Sequence, residues 1–256
     1  MFKKLIFGLS LFVTLGFGAT FDDALEALNK KEYKLAFSIF EDISSEIEEL
    51  ANKGNDKAQY NIGYMYHRGF GVKQNYERAV YYYEKAASNG NADAQSMLGE
   101  RYENGIGTQQ DYQKAFYWYE KAANQGDVVA QNRLGTLYTK GKGVKQDYKK
   151  AIEFFEKSAK QGFAQAQNNL GIMYVNGQGV KQDYKKAILW YEKAATQGDV
   201  AAQSNLGNMY ANGEGVRQDK KRGKEWFFLF YFFFLRYFRS RFFILFFLVF
   251  FFNIIN

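Results

Sequence analysis

A short glycine motif recurs along the chain at a fixed interval of 36 residues. Each copy has a second glycine two positions after the first, as in Gly69-Phe70-Gly71-Val72. A strict period of this size is typical of proteins that stack repeated pairs of helices. Such stacks usually bind partners along an extended surface. The five copies have no insertion or deletion between them, and their first glycines are Gly69, Gly105, Gly141, Gly177 and Gly213.

Most of the net charge of +7 comes from the two ends of the chain. All 27 acidic residues lie within residues 21–226, where 29 basic residues leave a net charge of +2. A nearly balanced body lacks the clustered basic face that nucleic-acid binding needs, so we predict no nucleic-acid partner. Five of the 34 basic residues lie outside that stretch, namely Lys3, Lys4, Arg236, Arg239 and Arg241.

Residues 1–19 have the pattern of a cleavable signal peptide. Lys3 and Lys4 precede an apolar run of 13 residues, Leu5 to Phe17, and small residues follow at a plausible cleavage point. The run is shorter than the ~20 residues that a helix needs to span a bilayer. We therefore predict a periplasmic or secreted bacterial protein; a buried first helix is the alternative. The chain has no cysteine, which excludes disulfides, thiolate metal sites and cysteine nucleophiles.

The copy at residues 127–162 predicts two antiparallel helices. The first helix opens at Asp127 and ends at Gly141-Lys142-Gly143, because glycine adopts the left-handed geometry of a helix C-cap. The second opens at Asp147 and ends before Gly162. The apolar stripe of the first helix consists of Ala130, Leu134, Leu137 and Tyr138, and that of the second of Tyr148, Ala151, Ile152, Phe155 and Ala159.

A glycine lies in the middle of every predicted first helix. Glycine there costs ~0.5–1 kcal/mol relative to alanine. Because this cost recurs in five copies, we infer a helix approach so close that a side chain would block it. The glycines are Gly63, Gly99, Gly135, Gly171 and Gly207, and the matching small residues on the second helices are Ala79, Ala115, Ala151 and Ala187.

The repeated pattern reads Ala-Gln-x-x-Leu-Gly-x-x-Tyr, then Gly-x-Gly-Val, then Asp-Tyr-x-Lys-Ala, an aromatic pair and Glu-Lys-Ala-Ala. It resembles the Sel-one-like repeat, a relative of the tetratricopeptide repeats, over residues 55–227. Upstream, residues 20–54 resemble a capping helix pair, in which seven extra residues predict a second helix longer by about two turns. The repeat units are then 55–90, 91–126, 127–162, 163–198 and a partial unit, 199–227.

The resemblance implies an all-α, right-handed superhelical solenoid whose concave face is lined by the first helices. It also implies a scaffold or adaptor that binds a protein or peptide. One secreted, cysteine-rich bacterial branch of the family is associated with penicillin binding and weak beta-lactamase activity, so a beta-lactamase-like or penicillin-binding hydrolase is the alternative. That branch has cysteines near the Ala-Gln and terminal Lys-Ala-Ala positions. This chain instead has Gln59, Gln95, Gln131, Gln167 and Gln203 at the former and Ala87, Ala123, Ala159 and Ala195 at the latter.

No catalytic, cofactor or metal site is expected. A serine beta-lactamase needs a lysine three residues after the serine, but Ser158, the nearest match, has Gln161 there. His67 is the single histidine, which excludes a multi-histidine zinc site; we predict it to be an exposed polar residue at a helix end. The glycine motifs lack the lysine and preceding strand of a phosphate loop. Five tyrosines are predicted to be core residues: Tyr66, Tyr102, Tyr138, Tyr174 and Tyr210.

The binding surface is predicted on the side of the first helices that points away from the core, which we call the first-helix face. Its amides, hydroxyls and aromatic rings would suit an extended peptide backbone; an ordinary solvated surface is the alternative. The face comprises Tyr60, Tyr64, Ser96, Glu100, Asn132, Thr136, Asn168, Ser204 and Asn208.

The repeat pattern is lost in residues 228–256. Residues 227–252 contain 14 of the 26 phenylalanines, and our hypothesis is that this tail is a frameshift product read from AT-rich DNA. A membrane segment and a capping helix are the alternatives. A single membrane span would place three arginines near the bilayer centre, at ~2.5–3.5 kcal/mol each. Membrane contact is therefore expected only if the tail is genuine.

Overall fold

A computed structural model of the chain describes residues 20–226, which form eleven α-helices and no strand within that range. The predicted all-α repeat fold is confirmed. The chain divides into two compact units, one ending at Gln146 and one beginning at Asp147. The predicted signal peptide and the tail at 228–256 lie outside the described residues.

The first unit contains α1 (Phe21–Asn29), α2 (Tyr33–Asn52), α3 (Asp56–Arg68), α4 (Tyr76–Ser88), α5 (Ala92–Asn104), α6 (Tyr112–Asn124) and α7 (Val128–Lys140). The second unit contains α8 (Tyr148–Lys160), α9 (Ala164–Asn176), α10 (Tyr184–Thr196) and α11 (Val200–Asn212).

Helix α2 is the longest described helix, with 20 residues against 13 in α3 and in α4. Its added turns continue the buried stripe, since Ile43, Ile47 and Ala51 are all buried. The stripe packs against both α1 and α3. The longer helix therefore extends the core of the first unit toward α3.

Side-chain caps begin most of the helices. Asp127 accepts a hydrogen bond of 2.6 Å from the Ala130 N–H at the start of α7. At the start of α8, Asp147 accepts one of 3.0 Å from the Lys150 N–H. Each such cap is worth ~1 kcal/mol. The two helix starts predicted in this repeat are therefore confirmed. Phe163 precedes α9 and makes no side-chain cap.

The two glycines of the repeated motif have different roles. Gly105 ends α5 in the left-handed conformation at φ 67°, with its N–H donating to the Arg101 carbonyl. Gly107, at φ 77°, instead lies against the Tyr76 carbonyl at the start of α4, where a Cβ would collide. The prediction that the motif ends a helix thus describes only the first glycine, because the second permits contact with the preceding repeat. The same contact joins Gly71 to Phe40, Gly143 to Tyr112, Gly179 to Tyr148 and Gly215 to Tyr184.

The glycines within the first helices permit aromatic rings to pack on the helix backbone. A Cβ on Gly99 would lie 2.6 Å from the ring of Tyr119, which belongs to the second helix of the same repeat. Tyr119 is 1% exposed, so the ring has no room to move aside. The predicted close approach is confirmed, and a tyrosine ring makes the nearest contact. The same pairing joins Gly63 to Tyr83 and Gly171 to Tyr191.

Candidate functional site

The nine residues of the first-helix face differ in accessibility. Tyr60, Asn132 and Asn168 are buried, with 9%, 5% and 7% of their surface exposed. In the second unit, the Asn168 side chain accepts a hydrogen bond of 3.0 Å from Asn205. Asn208 is exposed, and Tyr64, Ser96, Glu100, Thr136 and Ser204 are partly buried. Part of the predicted row therefore belongs to the packing within each unit.

Three residues of the face line one cavity in the first unit. Tyr60 on α3 and Ser96 and Glu100 on α5 border a cavity of about 200 Å³. The other lining residues were not predicted, although the spacing of Asp93, Ser96 and Glu100 places these three on one helix face. Those residues are Asp93, Met97, Tyr119, Asp127, Val129 and Arg133.

Two of the three carboxylates in this cavity already have partners. Ser96 donates a hydrogen bond of 2.9 Å to Asp127, whose side chain also caps α7. Glu100 forms an ion pair of 2.8 Å with Arg101. Asp93 forms no hydrogen bond or ion pair with any residue in 20–226. Its burial, and then the nearby Asp127, raise the pKa of the Asp93 carboxyl, as expected for a desolvated acid beside a second acid.

Two aromatic rings, Tyr60 and Tyr119, line the cavity. The Tyr60 ring packs against Tyr64 and Tyr83, with centroid distances of 6.4 Å and 5.8 Å. The Tyr60 hydroxyl has no hydrogen-bond partner among residues 20–226. Burial, and then the charge of Asp93, raise the pKa of this phenol far above its ordinary value. Tyr60 thus presents a neutral, unpaired hydroxyl near the carboxylates.

A buried cation lies beside the cavity. Arg101 is 3% exposed and occupies the position that Met65, Leu137, Met173 and Met209 hold in the other repeats. Its guanidinium contacts Glu100 and lies 3.4 Å from the Nε2 atom of His67. The Arg101 Nε atom has no partner among the described residues. The repeat that contains α5 therefore has a charged side chain at a buried position where the other four repeats have an apolar one.

His67 is partly buried, and the prediction that it is exposed is wrong. Its Nδ1 atom lies 3.5 Å from the Tyr83 hydroxyl. Burial, and then the charge of Arg101, lower the pKa of His67 to about 4. Burial raises the pKa of Tyr83 well above its ordinary value, so this hydroxyl stays protonated and is a poor nucleophile. The geometry around His67 does not support the beta-lactamase-like alternative.

A second cavity, of about 670 Å³, lies in the second unit. Its lining is mainly the loop from Val180 to Lys186, together with Tyr174 and Gly215. Residues 144–150 repeat the same loop as Val-Lys-Gln-Asp-Tyr-Lys-Lys. We therefore attribute this cavity to the geometry of the repeat, and it contains no residue of the first-helix face.

Within residues 20–226 no group of three or more histidine or acidic side chains is placed to hold a metal ion. No helix in the same range combines the length and apolar character that a membrane span requires.

The comparisons with known proteins agree with this architecture. The model of the Sel1 repeat matches residues 56–91, 92–127, 128–163, 164–199 and 200–229. A Sel1 repeat protein from Oxalobacter formigenes is 33% identical, with a TM-score of 0.71, over 82% of this chain and 81% of that one. No protein with a curated description matches the chain.

A longer relative shares the fold. It is c5321, a protective antigen of uropathogenic Escherichia coli strains that displays an SLR fold. The two chains are 38% identical with a TM-score of 0.69, and the match covers 72% of this chain. This chain spans 40% of the length of the E. coli antigen. Neither relative is described as a hydrolase.

Proposed function

Because this chain belongs to the Sel1 repeat family, we propose that it is an exported scaffold that binds a protein or peptide through the first-helix face of its first unit. Sel1 repeat proteins generally mediate protein–protein interactions. The observation that carries the proposal is the cavity between α3, α5 and α7. Residues from three successive repeats converge there on one open site.

The size of the cavity favours a macromolecular partner. At about 200 Å³ it lies below the ~300–1,000 Å³ of typical small-molecule sites. A single side chain from a bound segment fits this volume better than a free metabolite does. The partly buried hydroxyl and carboxylate groups around it supply the few polar contacts that orient such a side chain. The remaining partner surface would lie along the first helices, as in other repeat stacks.

Export is the second part of the proposal. It is supported by the basic start, the short apolar run and the small residues within positions 1–19. Expression of the full chain in a bacterium, followed by fractionation and N-terminal sequencing, tests it. A mature chain that begins near Thr20 in the periplasm or medium is expected. A cytoplasmic protein that retains Lys3 and Lys4 would contradict export without affecting the binding site.

Site-specific photocrosslinking tests the binding surface. Met97 lines the cavity and is partly buried, whereas Glu120 is exposed on the second helix α6. A benzophenone amino acid is placed at one or the other position in the full chain. After illumination in the producing cells, the position-97 protein should yield a discrete crosslinked species, identified by mass spectrometry.

The position-120 protein is the matched control, because it carries the same photoreactive group in the same unit. It should lack the species seen at position 97. Equal crosslinking at both positions, or none at position 97, would place the partner elsewhere and refute the proposed surface.

A further inference from the structure

We propose that the cavity between α3, α5 and α7 receives the cationic side chain of an arginine or lysine from the bound protein. The inference rests on the proposed function and specifies the chemistry of the partner at this site. It follows from the charge of the cavity, from two unpaired groups within it, and from a comparison with the other repeats.

The charge of the lining is negative. It contains Asp93, Glu100 and Asp127 against one lining cation, Arg133, and with Arg101 beside the cavity three carboxylates face two cations, a net charge of −1. Asp127 and Glu100 have hydrogen-bond or ion-pair partners, whereas Asp93 has none among residues 20–226. Asp93 is partly buried, which raises its pKa, and an incoming cation would stabilise the charged form of this carboxyl. The lining therefore favours a cationic ligand group over an anionic one.

The second unpaired group is the Tyr60 hydroxyl. Tyr60 is 9% exposed, borders the cavity, and has no hydrogen-bond partner in the described chain. Asp93 and Asp127, whose charges raise the pKa of this hydroxyl, line the same cavity. The Tyr60 side chain is nine-tenths buried while its hydroxyl has no protein partner among residues 20–226 and remains available to a ligand in the cavity. An N–H group of a guanidinium or ammonium ion would supply a partner, while the aromatic rings of Tyr60 and Tyr119 favour a cation nearby.

The other repeats show that this charge is not a requirement of the fold. The positions equivalent to Asp93 are Lys57, Val129, Gln165 and Ala201. Those equivalent to Glu100 are Tyr64, Thr136, Ile172 and Asn208. Repeat packing thus tolerates neutral residues at both positions. The acidic cluster is a property of this one place in the chain, as expected for a specific contact with a partner.

Matched peptides test the inference directly. The probe is acetyl-Gly-Ser-Arg-Ser-Gly-amide, and its comparison peptide has citrulline, an uncharged isostere, in place of arginine. Binding to the full chain is followed by NMR with tyrosine-selective labelling. The arginine peptide should shift the Tyr60 and Tyr119 resonances in a saturable way, and the citrulline peptide should not. Equal shifts with both peptides, or none with the arginine peptide, would overturn the inference.

Two variants assign the contacts. Asp93→Asn removes the unpaired charge, and Tyr60→Phe removes the unpaired hydroxyl. Because a hydrogen bond to a charged group contributes ~1.5–3 kcal/mol, each should weaken binding of the arginine peptide about tenfold or more. Glu120→Gln removes an exposed charge from α6, outside the cavity, and should leave binding unchanged. Equal affinity of Asp93→Asn and the unaltered chain would refute the role of this carboxylate.

The outcome also separates this inference from the proposed function. Crosslinking from position 97 without a preference for arginine over citrulline would leave the scaffold surface in place and refute only the cationic contact. Absence of both results would refute the two together. Thermal unfolding of each variant verifies that the loss of binding is not a loss of fold.

Discussion

The side-chain amide of Gln95 donates a hydrogen bond of 3.1 Å to the backbone carbonyl of Ala87 in the last turn of α4. The Ala87 carbonyl also accepts a hydrogen bond of 3.1 Å from the Gly90 N–H, so the glutamine gives this carbonyl at the helix end a second hydrogen bond. The Gln95 Oε1 atom in turn accepts a hydrogen bond of 2.9 Å from Gln125. One buried side chain therefore joins three segments of two successive repeats. Equivalent bonds link Gln59 to Ala51, Gln131 to Ala123, Gln167 to Ala159 and Gln203 to Ala195.

Replacement of this glutamine tests its contribution to stability. Gln95→Leu keeps the approximate shape but removes the hydrogen bonds to the Ala87 carbonyl and from Gln125, which should lower the free energy of unfolding by ~1–3 kcal/mol. Urea unfolding measured by circular dichroism gives the change. Gln113→Leu, at an exposed position on α6, is the control and should stay within ~0.5 kcal/mol of the unaltered chain. Equal midpoints for the two variants would contradict the prediction.

The second glycine of the motif gives a second test, since an alanine at Gly107 would collide with the Tyr76 carbonyl. Gly90 has a similar positive φ, 93°, but an added Cβ would meet no atom within 4 Å. Both Gly107→Ala and Gly90→Ala therefore incur backbone strain of ~1–2 kcal/mol. Gly107→Ala should lose a further ~1–3 kcal/mol through overpacking. Chemical denaturation of the pair measures this difference, and equal losses would refute the close contact.

A buried charge gives a third test. Glu100→Asn together with Arg101→Met introduces the residues that occupy the equivalent positions as Asn208 and Met209. Because the guanidinium is 96% buried as a side chain and both members of its ion pair are replaced, this double variant should be more stable by ~1–4 kcal/mol. Arg101→Met alone leaves the Glu100 carboxylate without its partner and should be less stable than the double variant. A lower melting temperature for the double variant than for the unaltered chain would contradict this account.

The pH dependence of stability gives a fourth test, at His67. Its pKa is about 4 in the folded chain against 6.5 for an ordinary histidine. Between these values the unfolded chain binds a proton that the folded chain does not, so the free energy of unfolding decreases as the pH falls from about 6.5 to about 4. His67→Gln removes this proton uptake and should show a smaller decrease. Urea midpoints at pH 7, 5.5 and 4 measure both proteins, and parallel profiles would be inconsistent with the lowered pKa.

Much of the local structure was predictable because its causes are local. The caps Asp127 and Asp147 begin helices through hydrogen bonds to N–H groups three residues away. Gly141 ends α7 because its left-handed conformation satisfies a carbonyl of the same helix. The candidate site was predicted only in part, since Tyr60, Ser96 and Glu100 border one cavity while Asn132 and Asn168 are buried.

The sequence by itself determined the 36-residue period, the helix pairs with their caps, and the close packing at glycines such as Gly99. These depend on backbone preferences and on contacts that recur at a constant spacing. Only the tertiary structure decided the role of Gly107, the partners of Gln95, the burial of Arg101 and the convergence of Tyr60 with Asp93. Each of these joins residues of different helices. These residues come close together only through packing between helices, which no local backbone preference encodes.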